Sequence, residues 1–333
     1  MLKLGNVEIF GDIALSPMAG ISDSPYRKIA RKFGSAFSYT EFVNTEQIVR
    51  NNQKSIDMFR FEEMERPIVF QIFGSDLTNV VESSNRIAEL NPDIIDLNMG
   101  CSVAKVSSHG SGAGLLKNLP LAGRMIEDMV KTNSCPITAK IRIGWDLNSL
   151  NYKETVRVLQ ESGVSAISVH GRTKSMGYSG LADWNIIGEI KSLSKVPIYG
   201  NGDIQSYAEA LDRKKQTNVD LVLIGRKAIG NPWIFSPKAK KDFSWSEIRG
   251  LILEHLDGML EFYPSDDDYG LILFRKHFVR YIEGLTIPPP IKQKLLQTSI
   301  VNEFKDLLNS LELYFDMQLT QLKESETHCE MYL

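Results

Sequence analysis

Cys101 closes the short segment Asn98-Met99-Gly100-Cys101, directly after the apolar run Ile94–Asn98. A free thiol with a pKa of about 8.5 is mostly protonated near neutral pH and can donate a proton. A solitary cysteine also serves as a small buried hydrophobe, but a Gly-containing loop at the end of a strand favours chemistry. Lys140 lies inside another apolar run, between Ile137 and Ile143. Directed inward, its charge needs an anionic partner such as a reduced flavin; directed outward, it would sit between covering helices. Gln71 ends a third run with an amide that suits the edge of a heterocycle. His170, followed by Gly171-Arg172-Thr173, can orient a ring or donate to it. Asn201-Gly202-Asp203 and Gly225-Arg226 follow two successive runs. Such paired loops bind phosphate through backbone N–H groups, and Arg226 adds a charged donor. Two tight turns are the alternative.

These residues need strands to hold them. Short runs rich in Val, Ile and Phe recur at Ile13–Met18, Phe37–Glu41, Ile68–Phe73, Ile94–Asn98, Ile137–Ile143, Ala166–His170, Pro197–Asn201 and Leu221–Gly225. Segments of helical period separate them: Asn79–Leu90, Leu121–Thr132, Tyr152–Ser162, Asn185–Leu193 and Ala208–Lys214. Alternation of this kind predicts a parallel sheet covered by helices. Eight runs suit a (β/α)8 TIM barrel, and an open doubly wound sheet is the rival. Polar or Gly-rich residues stand at the run ends, from Pro17-Met18-Ala19-Gly20 to Gly225-Arg226. In a barrel all of these ends meet at one mouth, where sites of this fold are built, so the barrel is favoured.

Beyond Asn231-Pro232-Trp233 the pattern turns helical, with Ile248–Phe262, Leu271–Gly284 and Lys292–Leu319 as helices and Ile287-Pro288-Pro289-Pro290 as a stiff break. The reading is a catalytic barrel over 1–237 and a helical C-terminal domain over 238–333, frayed from about 323. Cys135 precedes Pro136 at the start of a strand and reads as structural. Cys329 beside His328 has too few companions for a metal, and none is expected elsewhere. His109 with Gly110-Ser111-Gly112-Ala113-Gly114 does not open from a strand. A Rossmann fingerprint is therefore rejected in favour of a mobile loop over the mouth.

The 333 residues carry a formal net charge of −3 and a pI near 6.0. No general basic field exists, so a nucleic-acid partner must be held by local patches. Three separated cysteines fit a reducing compartment. No signal peptide or membrane span is expected, and the reading is a cytoplasmic monomer.

Together these motifs resemble the tRNA-dihydrouridine synthase family, most closely its bacterial B-type branch. The resemblance is carried by Pro17 to Asp23 with Pro25 and Arg27, Gln71 with Gly74-Ser75, Asp96 to Cys101, Lys105-Val106 and Gly110 to Leu116. It continues through Lys140 to Trp145, His170 to Thr173, Gly200 to Ile204, Ile224 to Arg226 and Gly230 to Phe235. Arg275-Lys276-His277 looks like the basic element of the family's helical domain. The resemblance implies an FMN enzyme that reduces the C5–C6 double bond of particular uridines in tRNA, with NADPH, or NADH, as reductant. It implies hydride delivery to C6 and a proton from Cys101 to C5. Pro17, Met18, Ala19, Gln71, Lys140, Asn201, Gly202, Asp203, Gly225 and Arg226 would hold FMN, with His170 over the ring. Asn98 and Arg172 would place the uracil, and Arg275 and Lys276 would meet the RNA. Further basic groups are Lys238-Lys240-Lys241, Arg280 and Lys292-Lys294. One departure is plain: Ser102 stands where the family usually has proline.

Two rival functions share these residues. A flavin reductase of free pyrimidines would use the same loops and cysteine, but would not need the helical tail. A non-catalytic RNA-binding protein would keep the barrel as a scaffold only.

Overall fold

A computed structural model gives the fold, and residues 1–264, 269–312 and 314–315 are described. The barrel strands are β1 (Ile13–Leu15), β2 (Ser38–Tyr39), β3 (Ile68–Phe73), β4 (Ile94–Met99), β5 (Ile137–Arg142), β6 (Ala166–His170), β7 (Ile198–Asn201) and β8 (Leu221–Ile224). Parallel pairing runs from β2 through β8 and on to β1. Between β1 and β2 the Ala36 N–H donates to the Ile13 carbonyl at 2.8 Å, so the barrel is nearly closed. A two-residue strand, Val43–Asn44, pairs with the far end of β3.

The side-chain period of two explains the mixed character of the runs. In β4, Ile94, Asp96 and Asn98 share one face, while Ile95, Leu97 and Met99 share the other. The second set is fully buried beneath the helices. The first set lines the interior and becomes polar toward the C-terminal end of the strand. At the opposite end, Leu2–Leu4 and Val7–Ile9 form an antiparallel hairpin. Its Leu4, Val7 and Ile9 join Val69, Ile94, Ala166, Tyr199 and Leu221 in one apolar cluster. That hairpin closes the bottom of the barrel.

The connecting helices begin where short polar side chains can cap them. Asp76 accepts from the Asn79 N–H, Asn118 from Leu121, Asp183 from Asn185 and Ile186 and Ser206 from Glu209. The helices run Leu77–Ala88, Leu119–Thr132, Tyr152–Glu161, Trp184–Leu193 and Tyr207–Thr217, each end within three residues of the predicted one. Ser24–Lys32 is a helix that periodicity missed. Its Arg27 is fully buried and paired with Glu65 at 2.5 Å, which interrupts the polar face that helical patterning looks for.

β1 is shorter than predicted because the chain turns at Met18. The Ile21 and Ser22 N–H groups donate to the Met18 carbonyl, and the Met18 N–H donates to the Ser22 hydroxyl at 3.0 Å.

The described chain divides into two compact units, residues 1–228 with 232–237, and residues 229–231 with 238 onward. The second unit holds helices Trp245–Phe262, Tyr269–Tyr281 and Pro289–Gln297, followed by a helical stretch from 301 to 312. Phe274, Phe278 and Phe304 pack together at its centre. The single helix predicted over Lys292–Leu319 is corrected among the described residues to two helical stretches, and the predicted end from 316 onward lies outside the described residues. Pro289 and Pro290 open the first of these, where a missing N–H costs nothing. That helix ends at Gln297, where Arg275 donates to the Gln297 and Thr298 carbonyls. Cys329, His328 and the tail from 323 lie outside the described residues. Among the described residues no helix is long and apolar enough to cross a membrane.

Candidate active site

The inner face of β3 to β7 converts strand register into a ring of polar groups. Pairing sets Gln71 beside Asp96, Asn98 beside Lys140, Arg142 beside His170 and His170 beside Asn201. All except Gln71, Asp96 and Lys140 lie at or next to the C-terminal ends of their strands, at the mouth.

The ring is hydrogen-bonded throughout, as buried polar groups require. Asp96 is fully buried and accepts from Thr138 Oγ1 at 2.6 Å and from Gln71 Nε2 at 2.7 Å. Gln71 Oε1 accepts from Asn98 Nδ2 at 2.8 Å. Asn98 Oδ1 in turn accepts the N–H groups of Gly100 and Cys101 at 3.0 and 2.9 Å. A continuous chain thus runs from a buried carboxyl to the backbone of Cys101. The Cys101 thiol is half-buried, and burial pushes its pKa up, with a Val103 backbone contact and Arg142 opposing. The raised pKa keeps it protonated at neutral pH.

Lys140 points inward. Its Nζ donates to Asn201 Oδ1 at 3.1 Å, and Asn201 Nδ2 donates to the Leu223 carbonyl at 2.8 Å. Burial lowers the Lys140 pKa to about 8, aided by Arg142 and opposed by Asp96. Burial raises the Asp96 carboxyl to about 6, against the pull of Thr138, Gln71 and Lys140. The interior therefore stores a cation whose compensation is incomplete.

On the other side of the mouth, Arg172 donates to both Asp203 oxygens at 2.8 and 2.7 Å and to the Ser179 and Gly180 carbonyls. It also contacts His170 Nε2 at 3.3 Å. Since guanidinium can only donate, that imidazole nitrogen accepts and Nδ1 carries the proton. Burial first, then the surrounding Lys140, Arg142, Arg172 and Arg226 charges, hold His170 well below its ordinary pKa, and it is neutral. Asp203 also accepts from the Ala182 N–H at 2.8 Å and from Arg226 Nη2 at 3.3 Å. Arg226 is half exposed and lies over the Tyr178 ring. Gly202 adopts φ +137°, and a Cβ there would come within 2.4 Å of the Ala182 Cβ and 3.3 Å of the His170 ring. At Gly225 an added Cβ would meet only the Met18 sulfur, at 3.8 Å. The glycine leaves a shallow cradle beside Met18, open to a group approaching the backbone.

A family model described as dihydrouridine synthase (Dus) matches residues 14–316. The chain belongs to the dihydrouridine synthase family. It is 31% identical over 326 residues to tRNA-dihydrouridine synthase B of Pasteurella multocida, covering 96% of this chain and 97% of the relative. It is 38% identical over 311 residues to a probable tRNA-dihydrouridine synthase of Aquifex aeolicus, covering 91% of this chain and 95% of that one. The B-type resemblance is thereby supported over nearly the whole length. Among solved structures, histamine dehydrogenase from Rhizobium sp. 4-9 has a TM-score of 0.57 at 13% identity, covering 93% of this chain and 63% of the longer one. Morphinone reductase has a TM-score of 0.50 at 9% identity, covering 70% and 87%. These last two share the barrel fold. Membership of this family makes the chain an oxidoreductase.

Sequence reasoning assigned no role to two residues that organise this dihydrouridine synthase's site, Asp96 and Arg142. Both are charged residues inside apolar runs, the same signal that singled out Lys140. Arg142 Nε donates to the Gly100 carbonyl at 2.8 Å and its Nη2 contacts the Ser102 hydroxyl at 3.3 Å. Its Nη1 donates to the Thr173 and Gly177 carbonyls. The structure brings Met18, Gln71, Asn98, Cys101, Lys140, His170, Arg172, Asn201, Gly202, Asp203, Gly225 and Arg226 to the barrel unit's mouth and inner wall. Arg275 and Lys276 belong to the helical unit, and Arg275 serves there as a strut on helix-end carbonyls.

Proposed function

We propose that this synthase reduces the C5–C6 double bond of specific uridines in tRNA to 5,6-dihydrouridine, using FMN and taking electrons from NADPH or NADH. The observation that carries the reading is the shared mouth. A protonated thiol, an inward lysine and two glycine-bearing loops converge there, on the β/α loops where this fold builds its sites.

The residues fit a flavin on three grounds. The Gly225 cradle beside Met18 admits close approach of a phosphate or ring. Arg226 is half exposed and supplies a charged donor next to it. Lys140 and neutral His170 face the interior from the neighbouring strands β5 and β6. Pro17, Met18, Ala19, Gln71, Lys140, Asn201, Gly202, Asp203, Gly225 and Arg226 would hold FMN, which when bound supplies hydride chemistry. Gln71 and Asn201 also serve their neighbours, fixing Asn98 and Lys140. Lys140 favours negative charge beside it.

Cys101 donates its proton to C5 of the uracil. The new C–H bond forms as the S–H bond breaks, and the half-buried thiolate regains a proton from solvent. Asn98 holds the thiol-bearing loop and retains an amide hydrogen for the uracil edge. Arg172, already committed to Asp203 and two carbonyls, acts chiefly by fixing His170 and Asp203. A stacked base cannot reach a barrel mouth, so the uridine enters unstacked. Lys276, Lys292 and Lys294 of the helical unit would contact RNA phosphates, with Arg275 supporting them. A cytoplasmic monomer is the proposed working form.

Nucleoside mass spectrometry of RNA from a deletion strain, mapped to position, tests this directly. Specific tRNA positions should lose dihydrouridine and regain it with wild-type chain but not with Cys101→Ala. Unchanged dihydrouridine at every tRNA position would overturn the reading.

A further inference from the structure

We propose, resting on the RNA reading above, that Lys117, Trp145 and Lys174 form a station for the RNA phosphodiester backbone at the rim of the barrel, next to the Cys101 loop. Three successive strand-end loops contribute one residue each. Lys117 ends the short helical segment Gly112–Lys117, which is tied to the thiol loop by the Ala113 N–H donating to the Cys101 carbonyl at 3.1 Å. Trp145 follows β5 and Lys174 follows β6. Their loops continue the strand pairing outward, with the Lys174 N–H donating to the Gly144 carbonyl at 3.0 Å and the Ser175 N–H to the Trp145 carbonyl at 2.8 Å.

Both ammonium groups lie over the indole, Lys117 Nζ at 3.5 Å and Lys174 Nζ at 4.4 Å from the ring centroid. The ring's quadrupole attracts each cation and offsets part of their mutual repulsion. Among the described residues neither lysine has an acidic partner in an ion pair. Asp146, the acid adjacent in sequence, accepts instead from the Asn148 N–H at 3.0 Å and the Ser149 hydroxyl at 2.7 Å within its own turn. Two cations thus remain uncompensated on a chain whose formal net charge is −3. Such a local positive spot is what a nucleic-acid partner of an acidic protein requires.

The position selects the occupant. The glycine loops of β7 and β8 lie across the mouth, whereas this cluster flanks β4 to β6, where Cys101 stands. A uridine presented to the thiol carries its own phosphates past these loops. Trp145 sets the spacing of the two ammonium groups, which contact the backbone without reading sequence.

The test uses the full-length, flavin-loaded chain and an unmodified tRNA transcript. Binding is measured from about 50 to 200 mM salt, alongside steady-state reduction of the same RNA. The Lys117→Ala/Lys174→Ala double variant should bind about ten-fold more weakly at the lower salt. Its salt slope should fall by roughly 1.5, as expected for the loss of two phosphate contacts. KM should rise about ten-fold, and the Lys117→Arg/Lys174→Arg variant should restore both. Trp145→Leu should give part of the loss. If wild type binds the transcript and the double variant shows the same affinity, slope and KM, the station is overturned while the RNA reading stands. If wild type binds no tRNA, both fall together.

Discussion

Arg142 Nε donates to the carbonyl of Gly100 at 2.8 Å, so the residue before the thiol hangs from the neighbouring strand. The same guanidinium reaches the Ser102 hydroxyl on the far side of Cys101. The loop that bears the thiol is therefore gripped at both flanks from β5 and, through Asn98, held from β4. Where the family usually has proline, this chain uses a hydroxyl that the arginine holds, replacing a rigid ring with a hydrogen bond.

Arg142→Lys should separate this grip from flavin binding. A lysine can keep at most part of the set of four contacts to Gly100, Ser102, Thr173 and Gly177. Buried hydrogen bonds from a charged donor contribute about 1.5–3 kcal/mol each. We expect a lowered melting temperature and turnover reduced about ten- to hundred-fold, with flavin content retained. Turnover equal to wild type would show that the thiol loop holds its geometry without Arg142.

Cys101→Ala should reach the proton-transfer step alone. Positioned general acids contribute about 10²–10⁴-fold, and the variant should lose that much in reduction of tRNA. Its flavin should still be reduced by NADPH at the wild-type rate, as stopped-flow absorbance would report. Unchanged turnover on tRNA would remove the thiol from the chemistry.

The Asp96 and Lys140 charges give a pH prediction. The Lys140 ammonium, with a pKa of about 8, is present below that pH and is lost above it. Activity that depends on its charge should therefore decline on the alkaline side of pH 8. Asp96 supports the ammonium, so Asp96→Asn should move this limb to lower pH. A pH–rate profile of the two proteins decides the matter. An alkaline limb at the same pH in both would mean that Lys140 does not set it.

Much of this site could be read along the chain because β/α barrels concentrate chemistry where strands end. Gly202 and Gly225 stood out because two successive strand ends carried glycine, and the structure shows why Gly202 cannot be replaced: Ala182 and His170 occupy the space of a Cβ. Lys140 stood out because a charge inside an apolar run needs an inner face. Asp96 and Arg142 obeyed the same rule, but their hydrogen-bond partners are 25 to 42 residues away in sequence, as in Gln71 with Asp96 or Arg142 with Gly100. Long-range pairs of this kind leave no local period. The Ser24–Lys32 helix was missed for the same reason, since its buried face includes Arg27, whose partner Glu65 lies in another element. In the helical unit, the end of Pro289–Gln297 depends on Arg275 reaching its last carbonyls, which no pattern within the helix announces.

The helical unit should be the acid-sensitive part of the chain. His255 and His277 are fully buried with rings 4.7 Å apart. His255 Nδ1 bonds to the Tyr281 hydroxyl at 3.0 Å, and the Gly230 N–H donates to His277 Nδ1 at 3.3 Å. Burial, aided by Lys276, lowers His255 to about 3, and burial with the His255 and Lys276 charges holds His277 well below its ordinary value. Both folded pKa values are depressed, so the unfolded chain takes up protons first as pH falls below about 6.5. Stability is thus fully present above that pH and is lost below it. His255 alone costs about 2 kcal/mol at pH 5, and His277 adds to the loss in the same direction. Denaturant unfolding of the full chain between pH 7 and 5 should show that loss. Hydrogen exchange should place it in Trp245–Phe262 and Tyr269–Tyr281. The variant His255→Phe/His277→Phe should be less stable at pH 7, through lost hydrogen bonds such as those to Tyr281 and Gly230, yet nearly insensitive over the same range. A wild-type helical unit as well protected at pH 5 as at pH 7 would refute the assignment.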